Sequence, residues 1–198
     1  MIFDPGPHEY WNNARTVLYP SVTQVLKRAG VIDDRWYSAE ACERGSAVHE
    51  LCERYARGER YDRQGRSLDG LEYVNAFAAW QAATGAYAIV TEAIVHGSHN
   101  GKMWAGKFDG LYEIGGKRVL IDIKTGAPCK WHALQLSAYA LSSFDGGYKV
   151  NPDRCAALYL RADGTYKEDR LSGARLLEGI DGFRDALQFR YSIPCRLS

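Results

Sequence analysis

Gly115-Gly116 stands between two runs of alternating apolar residues, and no other feature limits the fold of this chain so sharply. Two adjacent glycines, both free to take positive φ, make a two-residue hairpin turn, which fixes the pairing on either side of it. Counting outward, Ile114 faces Lys117, Glu113 faces Arg118, Tyr112 faces Val119, Leu111 faces Leu120 and Gly110 faces Ile121, so Asp109 falls opposite Asp122. Directly opposed side chains have Cβ atoms about 5 Å apart, and like charges there are destabilising, so the pair calls for a compensating cation. Side chains alternate faces along a strand, which puts Lys124 on the face of Asp122 and turns Val119, Ile121 and Ile123 the other way, into a core. Asp and Lys at strand ends are also commonly just solvated, and Asp-x-Lys alone is a weak signal. The opposed Asp109 gives it weight.

At 198 residues the chain is expected to form one domain with a sizeable core. The opening MIFDPGPHEYW has neither the basic nor the apolar region of a secretory leader, and no apolar run reaches membrane-spanning length. The expectation is a soluble, intracellular, cytoplasmic protein without a membrane partner. Cys42, Cys52, Cys129, Cys155 and Cys195 are odd in number, scattered and without a CxxC pair, which suggests reduced thiols and no disulfide framework or zinc set. A formal net charge of +1 argues against coating duplex DNA through a broad basic surface. It leaves room for a narrow groove that combines a few cations with aromatic platforms, since aromatic residues make up 12% of the chain. Most of those rings are nonetheless expected in the core or half-buried.

Residues 1 to 20 read as irregular, punctuated by Pro5, Gly6, Pro7 and Pro20. Ser21 is placed to cap a helix from Val22 to Arg28 that Gly30 ends. A second helix is expected from Ser38 to Arg57, with His49 on the face of Cys42, Gly45, Ser46, Cys52, Glu53 and Ala56. An exposed loop follows over Gly58 to Arg66, then a third helix from Leu68 to Gly85. Ala88 to His96 alternates as a strand ahead of the hairpin. Trp131 to Phe144 reads as a helix, Ala156 to Arg161 as a short strand and Ala174 to Arg190 as a final amphipathic helix. The pattern describes an α/β fold, a central mixed sheet flanked by helices, with a helical N-terminal part over about 1–86 and an α/β core over about 87–198.

Three further groups carry candidate chemistry. His49 and Glu53 lie one helical turn apart and could reach one metal ion, although a lone helical histidine is more often packing or surface, and the spacing is not HExxH. Glu92 is an acid among apolar residues in IVTEAIV, and the ordinary reading is an edge-strand charge facing water. Gln135 and Tyr139 share a helical face.

Taken in order, RGxxxH at Arg44 to His49, then Glu92, GxxD at Gly106 to Asp109, DxKTG at Asp122 to Gly126 and QxxxY at Gln135 to Tyr139 resemble the PD-(D/E)xK nuclease superfamily in its RecB-like exonuclease branch. The upstream PSVT, Pro20 to Thr23, resembles a segment of small phage-type exonucleases of that branch. Each motif is weak alone; the five in order are specific. The resemblance implies a restriction-endonuclease-like core. It implies His49, Asp109, Asp122 and the Ile123 carbonyl as ligands of Mg²⁺ or Mn²⁺, Lys124 as the catalytic lysine beside the two aspartates, and Glu92, Gln135, Tyr139, Arg44, Ser21 and Thr23 as contacts to the strand. Some family members carry an iron–sulfur cluster on one upstream and three C-terminal cysteines. With only Cys195 near the C-terminus, no cluster is expected here. The activity implied is a metal-dependent DNA exonuclease acting on single strands or free ends. The alternatives are a non-catalytic nucleic-acid-binding or recombination accessory protein and a structure-selective endonuclease on the same fold. No recombination or replication partner can be named from the sequence.

Overall fold

The computed structural model describes residues 1–6, 9–33, 38–59 and 70–189. The segment expected to be irregular forms a small antiparallel sheet of Ile2–Asp4 (β1), Glu9–Trp11 (β2) and Leu18–Tyr19 (β3). Its apolar content explains the correction. Tyr10 is buried and Phe3 stacks on it with ring centroids 4.8 Å apart, so packing imposes a ladder where proline and glycine had suggested none.

Val22–Arg28 (α1) starts at Ser21, whose Oγ accepts from Gln24 N–H while the Gln24 side chain accepts from Ser21 N–H, and Gly30 follows at φ 72°. Ala39–Ala56 (α2) is capped by Ser38. Leu71–Thr84 (α3) ends at the left-handed Gly85. The expected start of that helix at Leu68, most of the expected loop before it, Arg190 of the last helix and Cys195 all lie outside the described residues.

Tyr87–His99 (β4), Lys102–Ile114 (β5) and Lys117–Lys124 (β6) form a meander. Trp131–Leu141 (α4) follows. The helix expected to run on to Phe144 stops at Leu141 because Ser142 turns extended, with ψ 168°, and its Oγ accepts from Trp104 Nε1–H at 3.0 Å. Ser143–Phe144 (β7) then pairs with β4 at His96 and Val95. Arg154–Leu160 (β8) and Tyr166–Leu171 (β9) complete a six-stranded sheet in the order β7-β4-β5-β6-β8-β9, and Ala174–Gln188 (α5) closes the fold. Strand β9 had not been expected. Its sequence YKEDRL is charged, and it is held by its ladder with β8 and by the buried Leu171 at its end.

Among the described strands only β6 and β8 pair in parallel, joined by a crossover through α4, so the sheet is mixed and flanked by helices. One core gathers Leu111, Leu120, Leu136, Ala157, Leu171 and Phe183, and the other Val48, Phe77, Trp80, Tyr112, Ile121 and Leu158. Strand β6 feeds both, Leu120 one and Val119, Ile121 and Ile123 the other, so it is covered on both faces. A charge in its middle, as at Asp122, is a buried charge. Among the described residues, no helix is long and apolar enough to cross a membrane.

Candidate active site

The β5–β6 ladder follows the register set by the glycine turn, from Ile114 opposite Lys117 to Gly110 opposite Ile121, and Gly115 and Gly116 both have positive φ. It ends there, one rung short of the two aspartates. Asp109 Oδ2 instead accepts from the Ile123 N–H at 2.5 Å, replacing a ladder bond with a side-chain one. The β4–β5 ladder is interrupted on the same level: Thr91 pairs with Gly110 and Ala93 with Phe108, and between them Glu92 takes φ 51°. Glu92, Asp109 and Asp122 therefore occupy successive positions of one row across three neighbouring strands. A glutamate in this backbone region is uncommon and costs on the order of 1–3 kcal/mol, which the surrounding structure must impose.

Helix α2 closes over the row. His49 Nδ1 lies 2.9 Å from Asp109 Oδ1, and one turn earlier a methyl on Gly45 would stand 3.9 Å from Thr125 Oγ1, so the helix runs close to the chain leaving β6. Ligand atoms of His49, Glu92 and Asp109 all lie within 4.8 Å of one another. Asp122 stands outside that group; Lys124 Nζ lies 2.5 Å from its Oδ2, in an ion pair and not a well-directed hydrogen bond. Lys124 also donates to Gln135 Oε1 at 3.0 Å, and Gln135 Nε2 donates to Tyr139 Oη at 3.2 Å. Gly106 lets the Tyr139 ring lie against β5, since a methyl there would be 2.6 Å from the ring. Trp131 places its ring 5.4 Å from the Lys124 ammonium.

Burial dominates the electrostatics. It pushes the Asp122 carboxyl up, the Asp109 charge adds to this, and Lys124 offsets only part, so Asp122 ends above the usual carboxylate range. Burial also presses Asp109 upward, but the charge and hydrogen bond of His49, the charge of Lys124 and the Ile123 N–H together carry it below that range. For His49, burial alone would lower the imidazole, and the Asp109 carboxylate outweighs it, leaving His49 raised. Glu92 is raised by burial and by Asp109, against the opposing pull of Lys107.

Asp109, Asp122, Lys124, His49, Gln135 and Tyr139 thus lie in one connected set of contacts, and Ile123 meets them through its N–H, where the resemblance had implied its carbonyl. Glu92 is not an edge charge facing water: its side chain is 14% exposed, pairs with Lys107 and joins His49 and Asp109. Ser21 caps α1, beside an Ala105 N–H that donates to Pro20 O at 2.9 Å on the strand leading to Asp109, with the half-buried Thr23 two residues on. Arg44 sits on α2 ahead of His49, with its Nε buried and meeting no acceptor among the described residues. Sequence reasoning missed Lys107. The available signal was its place two residues before Asp109, which puts both on one face of β5.

Two carboxylates and an imidazole with converging ligand atoms form a mixed oxygen and nitrogen donor set that is compatible with a divalent cation. No family model matches the chain, and no curated protein matches it. Solved structures do. An alkaline exonuclease from Laribacter hongkongensis, LHK-Exo, is 16% identical, with 86% of this chain and 88% of that one covered and a TM-score of 0.41. A predicted exonuclease from Eubacterium rectale is 14% identical over 86% of this chain and 80% of that one, with a TM-score of 0.50, and with that protein this chain shares its fold, a nuclease-like α/β core.

Proposed function

We propose that the chain is a metal-dependent deoxyribonuclease of the PD-(D/E)xK superfamily, in its RecB-like exonuclease branch, hydrolysing phosphodiester bonds of single-stranded DNA or at DNA ends. The observation that carries this reading is the largely buried row of Glu92, Asp109 and Asp122 with His49 and Lys124 against it. Three juxtaposed carboxylates are costly to a fold, and a protein that only bound nucleic acid would have no use for them. A bound Mg²⁺ or Mn²⁺ would polarise the phosphodiester and lower the pKa of an attacking water.

His49, Glu92 and Asp109 would hold the ion, with Asp122 and the Ile123 carbonyl beside them. Lys124 has three donors and no acceptor, and its anchorage by Asp122 and Gln135 directs it to position the water or offset charge developing on the phosphate. Gln135 is fixed at both ends of its amide by Lys124 and the Tyr139 hydroxyl, which sets the lysine's direction, and these two residues would orient the strand through Lys124. The orphaned Arg44 Nε–H suits a phosphate oxygen. Ser21 and Thr23, at the start of α1, complete the strand contacts. Near-neutral charge favours capture of an end over clamping on a duplex.

The test is incubation of the purified chain with end-labelled linear and covalently closed circular single-stranded DNA, in Mg²⁺, Mn²⁺ or EDTA. Linear strands are expected to be degraded in metal and spared in EDTA, with circles largely surviving. Rapid cutting of circles would move the assignment to endonuclease. Binding of the strand without cleavage in either metal would leave the accessory protein.

A further inference from the structure

Glu92 reaches the carboxylate row by adopting φ 51°, and its carboxylate there closes on the ammonium of Lys107. The two lie diagonally across neighbouring strands: Ile94 is paired with Lys107 and Ala93 with Phe108, so Lys107 is two residues along β5 from the position Glu92 faces. Diagonal neighbours on one face are within reach of a long side chain. Glu92 also belongs to the group whose ligand atoms converge with those of His49 and Asp109. A cation on Glu92 therefore stands at the mouth of the seat where a divalent ion would be held.

The remaining surroundings of Lys107 fit a side chain that changes partners. Its side chain is 34% exposed, so leaving the carboxylate returns the ammonium to water without stranding a buried charge. Its Nζ is also 5.8 Å from the centroid of the Phe3 ring, and an aromatic face retains a cation that has lost its anion. A single pair between a lysine 34% exposed and a glutamate 14% exposed gives modest stability, too little by itself to hold a glutamate at positive φ. A carboxylate that must sometimes face a metal gives a reason to hold it there.

We propose that Lys107 is the resident counter-ion of this seat: it neutralises Glu92 while no divalent ion is bound and must release the carboxylate when one enters, so that lysine and metal exclude one another and Lys107 sets the metal affinity. The proposal rests on the reading of His49, Glu92 and Asp109 as metal ligands. An ammonium and a divalent cation brought to the same carboxylate repel, and in a half-buried setting the repulsion is only partly screened. Displacing the lysine is then a fixed cost on every binding event.

Calorimetric titration with Mn²⁺ alone, on the full chain, tests it with wild type, Lys107→Met and Lys107→Arg. Removal of the charge in Lys107→Met is expected to tighten Mn²⁺ binding about tenfold, while Lys107→Arg, which keeps the charge, stays within about twofold of wild type. Should Lys107→Met fail to fold, Lys107→Gln gives the same readout with a shorter, polar side chain. Equal affinity in all three proteins, or weaker binding in the Met variant, overturns the counter-ion role and leaves the metal seat standing. If wild type and Lys107→Met both bind no Mn²⁺, the metal reading itself fails and takes this proposal with it.

Discussion

Asp109 and Asp122 lie just past the last rung of the β5–β6 ladder, yet burial and neighbours drive their carboxyls in opposite directions, Asp109 down and Asp122 up. Asp122 is buried and Asp109 is nearly so, and the Asp109 charge bears on Asp122. The difference lies in partners. Asp109 receives the Ile123 N–H and His49 as well as the field of Lys124, whereas Asp122 has Lys124 as its main offset. One carboxylate is thus supported by the fold and the other is borne by it.

The two Asp→Asn variants should therefore shift metal-free stability with opposite signs. A folded-state pKa below the unfolded one contributes stability at neutral pH that is lost as pH falls, so Asp109→Asn loses a supported charge and should cost about 1–3 kcal/mol. A raised folded-state pKa contributes stability only below the ordinary value and loses it as pH rises through the folded one, so at pH 7 Asp122 is a burden. Asp122→Asn should be as stable as wild type or slightly more so. Urea melts in EDTA at pH 7 decide it; equal destabilisation by both substitutions would contradict the asymmetry.

His49 makes a pH prediction. Its folded-state pKa is raised above 6.5 by Asp109, against the opposing effect of burial, so its contribution is fully present below 6.5 and lost as pH rises through the folded value. In EDTA, the stability advantage of wild type over His49→Gln should be largest near pH 6 and shrink toward pH 9. Mn²⁺ affinity should move the other way over the same window, because a ligating imidazole must first lose its proton. An advantage that did not change with pH would mean His49 packs against Asp109 without the ion pair.

The hairpin was legible because two glycines set a register that holds from Ile114 opposite Lys117 to Gly110 opposite Ile121, and the count brought the aspartates to the next level, where the Asp109 side chain takes the Ile123 N–H and the ladder stops. Glu92 was harder to place. A register shift between Ala88 and Val90 breaks the alternation of β4, and the positive φ at Glu92 re-aims its side chain, neither of which a period of two can express. The end of α4 was hidden because Ser143-Phe144 continues an apolar pattern as well in a strand as in a helix, and β9 because its charges gave no alternation to read. Lys107 went unremarked because its partner lies on another strand, and a strand-by-strand reading had no reason to join them.

Lys124→Ala should abolish cleavage and leave Mn²⁺ binding largely intact. A protonated lysine offers no lone pair to a metal, and its contacts here are an ion pair with Asp122 and a hydrogen bond to Gln135. Loss of Lys124 also lifts part of the offset from Asp122, so a modest change in metal affinity is compatible with the role and a collapse is not. Calorimetry beside cleavage rate separates the cases. Metal binding and activity falling together would make Lys124 a support of the site's structure.

Glu92→Gln separates a ligand from a contact to the strand. In wild type, Mn²⁺ that binds only the folded state should raise the melting temperature, and at a hundredfold excess over Kd the linkage is worth about 2.7 kcal/mol. Glutamine has nearly the shape of glutamate and keeps a carbonyl oxygen, but it removes the charge that converges with His49 and Asp109. If Glu92 holds the ion, most of the Mn²⁺-dependent shift should vanish in the variant, while in EDTA its stability should stay within about 1 kcal/mol of wild type, since the lost pair with Lys107 is partly exposed. If Glu92 only touches the strand, the shift should persist in full and the loss should show as a raised KM for DNA. A full shift with unchanged KM would leave the positive φ of Glu92 without a functional account and would remove it from the site.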